Sequence, residues 1–166
     1  MKSKILNCAE EDCPSFFEDL PNCGESHLAT CMDCFKKVQL VNSKNMAEAM
    51  IEEGLKHGPR LGVVTSAQSS LGFLTNDIIR YTDERSLDFS ITSQVAEGAF
   101  QKILDGDEEG SDSLIIEAAE KVTECDSLML GQFSMGGVAK KISTIAERPI
   151  LTAPECAVRK LKSIFQ

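Results

Sequence analysis

Four stretches of this sequence carry side chains that can do chemistry on a small molecule. Thr30-Cys31-Met32-Asp33 places a thiol at the end of a short strand-like run. Thr65-Ser66-Ala67-Gln68-Ser69-Ser70 gathers hydroxyls between an apolar run and an amphipathic one. Gly131-Gln132-Phe133-Ser134-Met135-Gly136-Gly137 follows a second apolar run, and Thr152-Ala153-Pro154-Glu155 a third. A thiol at the start of a helix feels the positive end of the dipole, which lowers its pKa and fits it to act as base or nucleophile. Hydroxyls and free N–H groups at helix starts suit a carboxylate. Taken one at a time, each Ser or Thr is equally a helix cap and each cysteine a packing residue. The ligand reading depends on the four stretches meeting at one place.

The elements between them supply that meeting. Strand-like runs fall at Lys4–Cys8, His27–Cys31, Val38–Val41, Leu61–Thr65, Asp88–Thr92, Asp126–Leu130 and Pro149–Leu151. Amphipathic helical runs alternate with them: Asn45–His57, Ser69–Tyr81, Gln94–Leu104, a segment capped by Asp112 or Ser113 and running to Glu124, Met135–Ala146 and Pro154–Phe165. In the third of these, Val95, Ala96, Ala99, Phe100, Ile103 and Leu104 recur with helical period. Alternating strands and helices predict an α/β fold with a mostly parallel sheet covered by helices in three layers. In such sheets the loops after the strands share the carboxyl edge, where ligands bind.

Composition narrows the function classes. The apolar share of 42% and charged share of 26% are ordinary for a globular protein, and no run approaches a membrane span. A formal charge of −9 argues against nucleic acid or anionic membrane surfaces as partners. The basic cluster Arg159, Lys160 and Lys162 is read as complementing a helix dipole, and His57 as a helix-end residue. The start of the chain lacks the apolar stretch of a signal peptide, so a cytoplasmic location with reduced thiols is expected for the seven cysteines. Cys31-x-x-Cys34 has zinc-knuckle spacing, with Cys13, Cys23 and His27 as further donors, but there is no second such pair. No metal or other cofactor is expected. The acidic run Asp105–Asp112 is read as a solvated turn without calcium-loop spacing, and Cys125 and Cys156 as packing residues.

The stretches LATCMDC, KNMAEAMIEEGLKHGPRLGVVTSAQSSLG, VAEGAFQKILDGDEEGSDSLIIEAAEKV and CDSLMLGQFSMGGVAKKISTIAERPILTAPECAVRKL resemble the aspartate/glutamate/hydantoin racemase superfamily, which also contains arylmalonate decarboxylase and maleate isomerase. The resemblance runs from about Val38 to Leu161. It implies two similar α/β lobes with a cleft between them, no cofactor, and proton transfer at the carbon next to a carboxylate by a pair of cysteines. Cys31 resembles the first-lobe cysteine, with the neighbouring Cys34 a weaker candidate. Residues Thr65, Ser66, Ser69 and Ser70 resemble the carboxylate-binding loop, with Gln132, Phe133 and Ser134 completing the substrate site. The sequence departs from the family pattern in two places. Where the second cysteine is expected, after Asp126–Leu130, it reads Gly131-Gln132-Phe133-Ser134. The first lobe also looks reduced, giving an expected division into residues 1–58, carrying Cys31, and 59–166, carrying the carboxylate loops. The expected function is a cofactor-independent racemase or isomerase acting on a small carboxylate-containing substrate. A single-thiol decarboxylase and a non-catalytic small-acid binder are the alternatives, and a homo-oligomer is compatible with all three.

Overall fold

The computed structural model describes residues 28–30, 37–39 and 43–165 of the chain. The expected strand Lys4–Cys8, the connection Glu10–Ser26 and the thiols Cys31 and Cys34 lie outside these residues. By its contacts the chain divides into two compact units, residues 44–160 and residues 1–43 with 161–166. In the smaller unit, Leu28–Thr30 (β1) and Lys37–Gln39 (β2) pair antiparallel, with Ala29 opposite Val38. The sequence places both as strands of a mostly parallel fold. The connection between them is too short for a parallel crossover, which needs about a dozen residues or more, so this pair is antiparallel.

The larger unit is the α/β body. It holds Ser43–His57 (α1, whose first residue falls in the smaller unit), Arg60–Thr65 (β3), Gln68–Asp83 (α2), Ser90–Val95 (β4), Ala99–Leu104 (α3), Glu108–Lys121 (α4), Ser127–Leu130 (β5), Gly136–Ser143 (α5), Ile150–Thr152 (β6) and the start of Ala153–Phe165 (α6). The four strands form one parallel sheet in the order β4-β3-β5-β6. From Lys44 on, α1 belongs with this body.

Pleat alternation explains the layers. From β3 and β5, Leu61, Val63 and Met129 join Met50 and Ile51 of α1, Leu74 and Ile78 of α2, and Cys156 of α6 in one buried cluster. Their neighbours Val64, Leu128 and Leu130 join Ile115, Ala118, Val138 and Ile142 of α4 and α5 in the other. Helices therefore cover both faces, the three-layer arrangement expected. Truncating a fully buried side chain such as Ile78 to alanine removes its transfer energy and leaves a cavity, about 2–5 kcal/mol in total.

Several expected boundaries move, each for a local reason. The helical pattern over Gln94–Leu104 begins inside a strand: all six residues of β4 pair with β3, from Arg60 opposite Ser90 to Thr65 opposite Val95. The helix starts only at Ala99, after Gly98 takes the left-handed φ of 82° that ends the strand run. The acidic run is not wholly a turn. Asp107, rather than Asp112 or Ser113, caps α4 by accepting from the Gly110 N–H at 2.8 Å, and Glu108 and Glu109 occupy the first turn, where the dipole favours them. The last strand shifts slightly, to Ile150–Thr152. A single 3₁₀ turn, Phe133–Met135, leads into α5, which ends at Ser143 ahead of the expected Ala146. In the basic cluster, Arg159 and Lys160 reach Glu53 at 3.2 Å and Glu52 at 2.7 Å and so tie α6 to α1. No helix among the described residues is long and apolar enough to cross a membrane.

Candidate functional site

Strand order creates the site. The chain leaves β3 through α2 toward β4 on one side, and leaves β5 through α5 toward β6 on the other. The loops after these two adjacent strands therefore part in opposite directions and open a crevice at their carboxyl ends, the place where open α/β sheets bind ligands. Into that crevice the sequence delivers Thr65-Ser66-Ala67 and Gly131-Gln132-Phe133. The parallel ladder holds them level: Val64 lies opposite Leu130, and the Gly131 N–H donates to the Val64 carbonyl at 2.9 Å.

Three of the expected residues meet in one hydrogen-bonded network. The Gln132 side-chain oxygen accepts from both the backbone N–H and the hydroxyl of Ser66, each at 2.6 Å. Its Nε2 donates to Ser70 Oγ at 3.3 Å. Ser66 is buried, whereas Gln132 and Ser70 are half-buried. Thr65 stands behind them, fully buried, with its hydroxyl donated to the Ala67 carbonyl at 3.1 Å, so it shapes the loop from beneath. Ser69 and Ser134 are exposed, and the Phe133 ring is 58% exposed. At the fourth loop, Thr152 is buried at the end of β6. Cys31 lies outside the described residues.

Ala67 occupies the N-cap of α2 in an extended conformation and offers no side-chain cap. The first-turn N–H groups of this 16-residue helix precede the first intrahelical bond, made by Leu71 N–H to the Ala67 carbonyl. The first-turn backbone N–H groups and the positive end of the α2 dipole thus lie at the same loop as Ser66, Ser69 and Ser70. No residue in 65–70 or 131–136 carries a titratable side chain. These loops can hold and polarise an oxyanion, but hydroxyls and carboxamides do not exchange protons with carbon acids near neutral pH. These two loops therefore supply hydrogen-bonding groups and no base.

The two thiols among the described residues are not poised for that role. Burial pushes the Cys125 thiol up, and burial raises Cys156 to about 11. Both sit in the core, as packing residues should. No cluster of three His, Cys, Asp or Glu side chains among the described residues is arranged to hold a metal ion. Two concavities elsewhere, one beside β4 and α4 and one between the ends of α4 and α5, are lined by other residues.

Gly131 is a site residue that the sequence reading passed over. A Cβ there would stand 2.7 Å from Thr65 Cγ2 and 3.1 Å from Leu74 Cδ2, so only glycine lets β5 approach the Thr65 loop this closely. The available signal was a glycine directly after an apolar strand at the carboxyl edge.

Two solved structures share this fold. Glutamate racemase isoform RacE1 from Bacillus anthracis matches with a TM-score of 0.55 and 15% identity, over 72% of this chain and 47% of the racemase. Allantoin racemase from Klebsiella pneumoniae matches with a TM-score of 0.54 and 16% identity, over 72% of this chain and 48% of that one. The chain thus spans about half the length of the solved racemases it matches. No family model matches the sequence, and no curated protein matches it.

Proposed function

We propose that this protein is a cofactor-independent enzyme of the racemase or isomerase type that acts at the carbon next to the carboxylate of a small acid. The observation that carries the proposal is the cradle at the β3–β5 switch point, where the Ser66 N–H and hydroxyl converge on one oxygen atom. A carboxylate oxygen in that position would accept the same two hydrogen bonds, strengthened by its charge and by the α2 dipole. Ser66 and Ser70, with the exposed Ser69, form the carboxylate site; Thr65 fixes the loop, and Phe133 and Ser134 flank the opening. Stabilising the substrate carboxylate lowers the cost of placing negative charge on the adjacent carbon.

In this reading the Cys31 thiolate removes or delivers the proton, or attacks as a nucleophile. The residues that follow β5 favour one thiol rather than two, since Gly131-Gln132-Phe133-Ser134 contains no cysteine. A one-thiol reaction is decarboxylation followed by protonation on one face or isomerisation through a covalent thiol adduct, and any proton exchange it catalyses retains configuration. The experiment is incubation in D₂O with amino acids, hydantoins and substituted malonates, followed by NMR, with Cys31→Ser alongside. Exchange or decarboxylation lost in the variant supports Cys31 chemistry. Loss of chirality during exchange refutes the one-thiol form. Carboxylate binding without turnover refutes catalysis on the compounds tested and favours a non-catalytic small-acid binder.

A further inference from the structure

We infer that Gln132 is an internal placeholder: its carboxamide oxygen occupies the cradle meant for a ligand carboxylate and must swing out before the ligand can bind. This rests on the carboxylate reading of the Ser66 loop and adds to it a competition built into the chain. The two strongest donors of the cradle, the Ser66 N–H and hydroxyl, already end on Gln132 Oε1 at 2.6 Å each. Both are thereby unavailable to any ligand while Gln132 stays. The side chain is anchored weakly at its other end, where Nε2 reaches Ser70 Oγ at 3.3 Å. It is half-buried, and its backbone is extended with φ −135° and ψ 146°. Rotation about its own side-chain bonds is therefore enough to vacate the cradle without disturbing β5 or the turn after it.

The same geometry sets what can displace it. A carboxamide oxygen is a neutral acceptor, whereas a carboxylate brings charge to the same donors and makes hydrogen bonds roughly twice as strong. Carboxylates are expected to expel Gln132, and neutral amides of the same shape are not. The placeholder therefore acts as a threshold that screens out neutral analogues and lowers affinity for every carboxylate by the strength of the internal bonds. If those are worth two ordinary neutral hydrogen bonds in net terms, removing them tightens carboxylate binding by about thirtyfold.

The test uses malonate as the probe and malonamide as its neutral counterpart, followed by NMR on the full chain. In the wild-type protein, the Ser66 backbone amide and the Gln132 side-chain amide resonances are expected to shift together along one malonate isotherm, with no response to malonamide. Gln132→Ala is expected to bind malonate about thirtyfold more tightly. Gln132→Glu keeps the shape but tethers a carboxylate in the cradle, and malonate affinity is expected to drop at least about tenfold. If malonate shifts Ser66 while the Gln132 amide stays still, or if Gln132→Ala binds no more tightly, the placeholder is wrong and the carboxylate site survives. If malonate moves Ser66 in neither wild type nor Gln132→Ala, and Gln132→Glu melts no higher than wild type, the carboxylate reading itself fails. Where malonate shifts Ser66 in the wild-type protein, the response of the Gln132 amide alone decides the placeholder even if a variant does not fold.

Discussion

Replacing Gly131 with alanine tests whether close strand approach positions the cradle. The new Cβ would lie 2.7 Å from Thr65 Cγ2 and 3.1 Å from Leu74 Cδ2. Carbon atoms rest at ~3.5 Å or more, so Thr65 must yield by roughly 0.8 Å. It has little freedom to do so, being fully buried with its hydroxyl held by the Ala67 carbonyl at 3.1 Å. Overpacking of this kind costs about 2 kcal/mol. Restricting the unfolded chain returns about 0.5–1 kcal/mol. The net loss of about 1–1.5 kcal/mol corresponds to a Tm lower by about 4 °C in a chain of this size. Gly137→Ala is the matched control, because it lies in α5 with nothing within 4 Å of its Cβ. That substitution is expected to raise Tm by about 2 °C through the unfolded-state term alone. Scanning calorimetry measures both, and the Ser66 amide shift reports whether the loop has moved in the first. Gly131→Ala melting at or above wild type, or above Gly137→Ala, would refute the close-approach reasoning.

Two further expectations concern titration and reactivity. Cys125 and Cys156 are 8% and 2% exposed with thiol pKa values pushed up by burial, so iodoacetamide at pH 7.5 (a routine labelling condition) should leave both unmodified in native protein by mass spectrometry and label both in denaturant. Because the Cys156 thiol is raised from 9.0 to about 11, its contribution is fully present below pH 9 and is lost as pH rises toward 11, so stability should fall across that interval and Cys156→Ala should flatten the fall. The Arg60 guanidinium, with help from the Arg60 N–H at 2.9 Å, holds the Asp126 carboxyl below its ordinary 3.8. Stability from this contact is present above pH 3.8 and lost as pH falls through the lowered value; Asp126→Asn should lower Tm at neutral pH and weaken the acid dependence seen by calorimetry.

Much of this fold was legible because its central strands are apolar on both faces. Leu61–Val64 and Leu128–Leu130 have no polar alternation to mislead a reader, and α1, α2 and α6 carry clear helical stripes. The edge of the sheet was harder. In β4, SITSQV is mostly polar, and its last residue, Val95, happens to fall in phase with Ala99 and Ile103 across the Gly98 break. Pairing with β3 overrides that local period, and pairing is not visible in a single segment. The site was half legible: the loops could be placed on one edge from the alternation of elements, but the contact of Ser66 with Gln132 joins residues 66 apart and depends on which strands are neighbours. That Thr65 is buried rather than presented follows from pleat parity, since it shares the face of Leu61 and Val63.

Placing β3 at the centre of the order β4-β3-β5-β6 also has a kinetic side. Its pairing with β4 can close early, but its pairing with β5 requires all of α2, β4, α3 and α4 to be looped back first. Loop-closure entropy must be met before that long-range ladder gives anything in return, so the β3–β5 ladder is expected to be among the slower steps of assembly. During synthesis the Ser66 loop would wait for residues that emerge much later, and a chain interrupted before Leu130 would hold its first half of the cradle with nothing to close it. A small acid that recognises the completed cradle would therefore act on the folding reaction only at its end, slowing unfolding rather than speeding folding.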